Sequence, residues 1–141
     1  MTVVLRHRVR YHEADAQGFL FNSRYLELAD VALTEFFRAL GWPYRELVAA
    51  GVDPSVVKAT VEYKAPARFD DVLDLSVVCN RVGNTSFELT TTVTRESTLI
   101  AVMNLVYVNV DATSATSRPL TEAVARTLRA SVRPAPEEPQ P

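Results

Sequence analysis

Between Ser23 and Leu40 the chain carries a helical pattern too apolar to lie on a surface uncovered. Tyr25, Leu28, Ala29, Ala32, Leu33, Phe36, Phe37 and Leu40 recur at spacings of three and four. On a 3.6-residue helix that spacing makes one wide apolar stripe. Arg24, Glu27, Asp30, Thr34 and Arg38 fall on the other side. Asn22 or Ser23 is placed to cap the helix by accepting an early backbone N–H. Gly41 suits the C′ position, and Pro43 cannot continue the helix. Such a helix needs cover on most of its circumference, and a curved sheet wrapped around it would supply that cover.

The rest of the chain has the material for the sheet. Leu5, His7, Val9 and Tyr11 alternate with Arg6, Arg8 and Arg10, the period of a strand with a basic outer face. After a connection across Trp42–Ser55, with a short helix near Tyr44–Ala50, four further strands follow. Val57, Ala59, Val61, Tyr63 and Ala65 alternate with polar residues until Pro66 stops the strand. Leu73, Leu75, Val77 and Cys79 form the next, Gly83-Asn84 turns the chain, and Phe87, Leu89, Thr91 and Val93 form the third. Leu99–Val110 is almost continuously apolar and β-branched, as in a strand buried on both faces. Short links predict an antiparallel meander. A small helix over Pro119–Ser131 closes the chain. The pattern predicts an α+β class domain over 1–131, five antiparallel strands around one long helix. The Pro-rich tail 132–141 is expected to be disordered.

Composition narrows the function. At 141 residues the chain is one domain, and a net charge of −2 implies no broad attraction to nucleic acid or membrane. No apolar run approaches the roughly 18 residues of a spanning helix, and Met1–Tyr11 does not read as a signal peptide. The lone Cys79 excludes an internal disulfide and a cysteine-based zinc site, which fits a cytosolic protein. There is no G-x-S-x-G elbow, no G-x-G-x-x-G and no P-loop. The two histidines, His7 and His12, have no metal-ligand spacing.

The loop ahead of the long helix remains. Glu13-Ala14-Asp15-Ala16-Gln17-Gly18 is followed by apolar Phe19-Leu20-Phe21 and then by the helix start. A carboxylate therefore stands a few residues before a row of backbone N–H donors that carry partial positive charge. That pairing suits a reaction in which an oxyanion develops. The apolar run would strip water from Asp15.

These residues carry a resemblance. Y-x-E-x-D-x-x-G-x-x-x-N-x-x-Y-L over Tyr11–Leu26 resembles the first block of the 4-hydroxybenzoyl-CoA thioesterase family of the hot-dog fold. Val61-Glu62-Tyr63-Lys64-Ala65-Pro66-Ala67-Arg68-Phe69-Asp70-Asp71 is similar to its second block, and Val82–Phe87 to its third. The likeness spans roughly Arg6 to Val110. It implies an acyl-CoA or acyl-carrier-protein thioesterase that uses no metal or cofactor. It further implies a homo-oligomer, a dimer or a dimer of dimers, with the active site between subunits. Asp15 matches the catalytic carboxylate, acting as nucleophile or general base. The backbone N–H of Asn22 matches the donor that polarises the thioester carbonyl. Gly18, Phe21, Tyr25, Thr60, Arg68 and Arg81 are the candidate substrate-binding residues. Near the third block aromatic-acyl relatives carry a basic cluster, whereas this stretch reads Gly83-Asn84-Thr85 with only Arg81 nearby, so delivery by CoA or by a carrier protein stays open.

Other readings stand beside this one. Glu35 is a rival carboxylate, since another hot-dog subclass carries its acid on the long helix. The same fold could bind acyl-CoA without catalysis, or act as a dehydratase with His12. The acyl group is unspecified: the aromatic stretch would accept an aryl or a medium aliphatic chain, and the Ala-, Val- and Arg-rich usage points to a GC-rich bacterial genome, where such enzymes also serve polyketide pathways.

Overall fold

The computed structural model describes residues 2–137. In chain order these form β1 (Val3–Arg8), a 3₁₀ turn (Tyr11–Glu13), α1 (Arg24–Ala39), α2 (Tyr44–Ala49) and β2 (Pro54–Tyr63). There follow β3 (Val72–Val82), β4 (Ser86–Arg95), β5 (Thr98–Asp111), the two-residue β6 (Thr116–Ser117) and α3 (Glu122–Ser131). The main sheet is antiparallel with order β1-β3-β4-β5-β2, and β6 pairs with β5 off that path. This is the hot-dog architecture that the sequence predicts.

The helix forms where the stripe placed it. Tyr25, Leu28, Ala29, Ala32, Phe36 and Phe37 are buried. Phe37 packs edge-on against Phe87 at 5.6 Å, and Phe87 stacks on Tyr107 at 5.2 Å. Removing one such ring from a packed core costs about 3–5 kcal/mol. The helix stops as Gly41 requires: at φ +90° its N–H donates to Arg38 O and the Trp42 N–H to Phe37 O. Those two bonds satisfy the last carbonyls of the helix.

Four local expectations change. No side chain caps α1; Ser23 itself is helical, at φ −73° and ψ −18°. A residue in that conformation has its side chain turned away from the amides it would cap. Cover is also incomplete, because Leu26 and Val31 are 40% and 46% exposed. Tyr11 leaves the first strand for the 3₁₀ turn and is exposed, because β1 ends at Arg8. The meander has three strands, β3-β4-β5, rather than four. β1 occupies the free edge of β3, so β2 crosses to the far side of β5 and pairs Val61 with Met103 and Tyr63 with Ala101.

β2 is consequently an edge strand along all ten residues, and most of it is exposed on both faces. α3 fills the gap near the end of α1, burying Val124, Ala125 and Leu128, while Trp42 Nε1 donates to Thr127 at 3.1 Å. Beyond it, Val132 packs against the core and the Arg133 N–H donates to Cys79 O at 2.9 Å. The expected disorder of 132–141 therefore does not describe its first residues, which find an acceptor on the part of β3 that β1 leaves open. Residues 138–141 of that tail lie outside the described residues. Cys79 is buried, and burial pushes its thiol up to about 11.

Candidate active site

The loop from Val9 to Asn22 is a small hairpin with its own hydrogen-bond ladder. Phe21 N–H donates to Glu13 O, and Asp15 N–H to Phe19 O at 2.8 Å. Ala14 bridges to Leu20, and Phe19 to Arg68. Gly18 sits at the tip with φ +81°, a value that favours glycine.

Asp15 is half-buried within this hairpin. Its Oδ1 accepts from the amides of Gln17 at 2.8 Å and Phe19 at 3.1 Å. Among the described residues nothing donates to Oδ2. One oxygen thus anchors the carboxylate and the other is left with its lone pairs available.

Glu13 holds the hairpin from beneath. Its Oε1 accepts from the Arg10 amide at 2.7 Å and meets His7 Nε2 at 2.8 Å. Arg10 Nη1 lies 3.1 Å from His7 Nδ1 and can only donate. The ring proton is therefore on Nε2, pointing at Glu13. Burial works against ionisation of Glu13, but the Arg10 amide and the His7 ring outweigh it and hold the carboxyl below the usual glutamate range.

Residues 64–71 form the adjacent wall. Leu20 N–H donates to Ala67 O at 2.8 Å, and the Arg68 guanidinium lies 4.8 Å over the Phe19 ring. Asp71 Oδ2 pins this wall by accepting from the Arg68 amide and from Arg95 Nη1, each at 2.8 Å.

At the helix start, the Asn22 and Ser23 amides make no hydrogen bond among the described residues. The first turn is tight: Arg24 N–H donates to Phe21 O and Leu26 N–H to Ser23 O. The Asn22 carbonyl is thereby left free of the helix, and the Tyr63 hydroxyl donates to it at 2.8 Å. Tyr63 also packs edge-on against Tyr25 at 5.2 Å. Tyr25 is buried, and burial, with Tyr63 beside it, pushes its phenol up to about 12.

Asp15, Gly18, Phe21 and Asn22 therefore lie on one hairpin with Arg68 against its Phe19, and Tyr25 is buried beside Tyr63 at its edge. Thr60 lies on β2 three residues before Tyr63, with its hydroxyl 3.5 Å from Asn104 O. Arg81 sits near the far end of β3, paired with Glu88 at 3.5 Å. Strand length alone puts it roughly 30 Å from the hairpin within one chain. Glu35 is on the outer side of α1, paired with Arg38 at 3.2 Å. His12 is exposed, and its backbone carbonyl accepts from Arg24 Nη2 at 3.4 Å. Tyr63, Asp71 and Arg95 shape the site without having been singled out as site residues. Their roles depend on contacts between distant segments, although Tyr63 does fall within the second motif block.

A cleft of about 1170 Å³ lies elsewhere. It is lined by Val4, Phe36, Leu40, Val77 and Arg133 at the opposite end of α1. No carboxylate, histidine or cysteine lines it, so it offers no base for hydrolysis. Among the described residues no group of three or more acids, histidines or cysteines could hold a metal, and no helix is long and apolar enough to cross a membrane.

Known proteins are similar to this chain in sequence and fold. Residues 9–132 match the model of the thioesterase-like superfamily. The acyl-CoA thioester hydrolase YbgC of Escherichia coli is 32% identical over 118 residues, covering 83% of this chain and 88% of that protein. The structure of a gentisyl-coenzyme A thioesterase superposes with a TM-score of 0.80 at 25% identity, covering 89% and 99% of the two chains. A protein of Thermus thermophilus superposes at 0.84 with 27% identity, covering 92% and 99%. With the hot-dog sheet and helix in place, these matches establish that the chain belongs to the thioesterase-like superfamily and is a thioester hydrolase.

Proposed function

We propose that the protein hydrolyses acyl thioesters of coenzyme A or of a pantetheine-bearing carrier protein, with Asp15 as the reacting carboxylate. The observation that carries this reading is the division of labour at Asp15: Oδ1 is fixed by two amides, and no described residue donates to Oδ2. The acyl-CoA substrate class is that named for the Escherichia coli relative.

The thioester carbonyl oxygen is received by the Asn22 N–H at the helix start, where the helix dipole favours the developing negative charge. Asp15 then acts by one of two routes. It attacks the carbonyl carbon, expelling the thiolate and leaving a mixed anhydride for water to cleave. Or it takes a proton from the attacking water. Rapid-quench mass spectrometry in a single turnover separates them, since an acyl-Asp15 adduct forms only by the first route; ¹⁸O from water enters the Asp15 carboxylate only where that anhydride is cleaved at the aspartyl carbon.

The site is completed by a second copy of the chain. Among the described residues no strand pairs with the outer edge of β2, and Val56, Val57 and Tyr63 are exposed along it. A long apolar edge of this kind pairs with another strand. Edge-to-edge pairing of two β2 strands brings a second sheet up to the Tyr63–Asn22 corner and shields the open site from water.

The test is release of free thiol from acetyl-, hexanoyl-, decanoyl- and benzoyl-CoA and from the same acyl groups on a carrier protein. Turnover of at least one series is expected. Binding of every thioester without thiol release would overturn the hydrolytic assignment in favour of a binding protein.

A further inference from the structure

The Tyr63 hydroxyl is spent on a single acceptor, the carbonyl oxygen of Asn22. Asn22 precedes the helix, whose N-cap is Ser23, and the Leu26 N–H donates to Ser23 O, so the Asn22 carbonyl takes its donor from Tyr63 rather than from the helix. The acceptor belongs to the Asn22–Ser23 peptide, whose other end is the Ser23 N–H. That N–H has no acceptor among the described residues. A hydrogen bond accepted at a peptide carbonyl polarises the same peptide and strengthens its N–H as a donor. The ring is held for this purpose: it packs edge-on against buried Tyr25 at 5.2 Å although Tyr63 is 52% exposed.

We infer that Tyr63 is a positioning residue for the hydrolysis proposed above. It orients and polarises the Asn22–Ser23 peptide so that the Ser23 N–H joins the Asn22 N–H in receiving the substrate carbonyl oxygen. The inference rests on that reading of the site and extends it from one amide to two, the second governed from strand β2. Because Tyr63 ends the edge strand, the position of β2 is transmitted to the amide through one side chain.

The experiment is Tyr63→Phe in the full chain, which keeps the ring on Tyr25 and deletes only the hydroxyl. Tyr44→Phe is the control, since Tyr44 donates to Asp53 at 2.9 Å in another part of the molecule. On the best thioester of the panel, Tyr63→Phe is expected to lower kcat on the order of tenfold with KM within about twofold, the signature of an interaction made in the transition state. The Ser23 ¹⁵N resonance is expected to move in Tyr63→Phe and to stay in Tyr44→Phe. An unchanged kcat overturns the inference. So does a raised KM at unchanged kcat, which would make the hydroxyl a substrate contact. If wild-type protein hydrolyses no thioester, the hydrolase reading fails on its own. The Ser23 resonance then decides separately, and an unmoved signal shows that Tyr63 does not govern this peptide.

Discussion

Glu13 Oε1 and His7 Nε2 meet at 2.8 Å beneath the hairpin that carries Asp15. The same oxygen takes the Arg10 amide, so β1, the 3₁₀ turn and the hairpin are tied at one atom. Glu13 is buried, with its charge balanced by these donors.

Glu13→Gln is expected to lower stability at pH 7 by about 1–2 kcal/mol, the cost of exchanging a charge-assisted bond for a neutral one. The pH dependence has a definite sign. Folding lowers the Glu13 carboxyl below its usual value, so its contribution is complete above the unfolded value, about 4.3. It is lost as pH falls through the lower folded value. Thermal unfolding of both proteins between pH 7 and pH 3 should show the gap closing on acidification. A gap constant across that range would refute the linkage.

Asp15→Asn should fold as the wild type does, because an amide oxygen can still accept the Gln17 and Phe19 N–H groups. It removes the carboxylate, and thiol release should fall by ~10²-fold or more. Glu35→Gln is the matched comparison: its partner Arg38 shares an exposed helix face, and such pairs contribute little. Steady-state kinetics of the two variants should show kcat lost in the first and kept within about twofold in the second. The reverse result would move catalysis to the helix.

Much of this was legible in the sequence, and the exceptions have a common cause. The Phe36–Phe37 stripe and the Gly41–Pro43 stop place α1 because both signals are local. The alternation in Leu73–Cys79 and Phe87–Val93 places β3 and β4 for the same reason. Which edge β2 takes is not local: Val61 could pair with β3 or β5 with equal alternation, and only the capture of β3 by β1 decides it. Asp15, Gly18, Asn22 and Tyr25 lie close together because they are near neighbours in sequence. Thr60 and Arg81 stand just ahead of the second and third blocks, on strands where a few residues of offset move a side chain far from the hairpin. The Tyr63–Asn22 bond joins residues separated by two helices and the length of β2, and no local pattern announces it.

Gly18→Ala isolates the backbone requirement of the hairpin tip. A Cβ at Gly18 would meet nothing within 4 Å, so any effect comes from holding an alanine at φ +81°. That conformation costs an alanine roughly 1–2 kcal/mol. In a domain of this size about 1 kcal/mol is a few degrees in Tm. The hairpin also places the Asp15 carboxylate, so kcat should fall along with Tm. A Tm equal to wild type in differential scanning calorimetry would show that the tip relaxes to another turn.

Val57→Lys tests whether the β2 edge completes the enzyme. Val57 is 59% exposed and falls at the irregularity between Val56 and Lys58, where the pairing with β5 shifts register. A lysine there leaves the β5 ladder and the core of one chain untouched, so circular dichroism and Tm should stay near wild type. Against a second β2 strand it sets a charge next to its own symmetry mate, and like charges across paired strands repel. Light scattering after size exclusion should report twice the 15.7 kDa chain mass, or a multiple of it, for the wild type. The variant should shift to the single-chain mass and lose thiol release with it. A wild-type protein that runs at 15.7 kDa and is active would show that one chain holds the whole site. A monomeric Val57→Lys protein with full activity would separate assembly from catalysis.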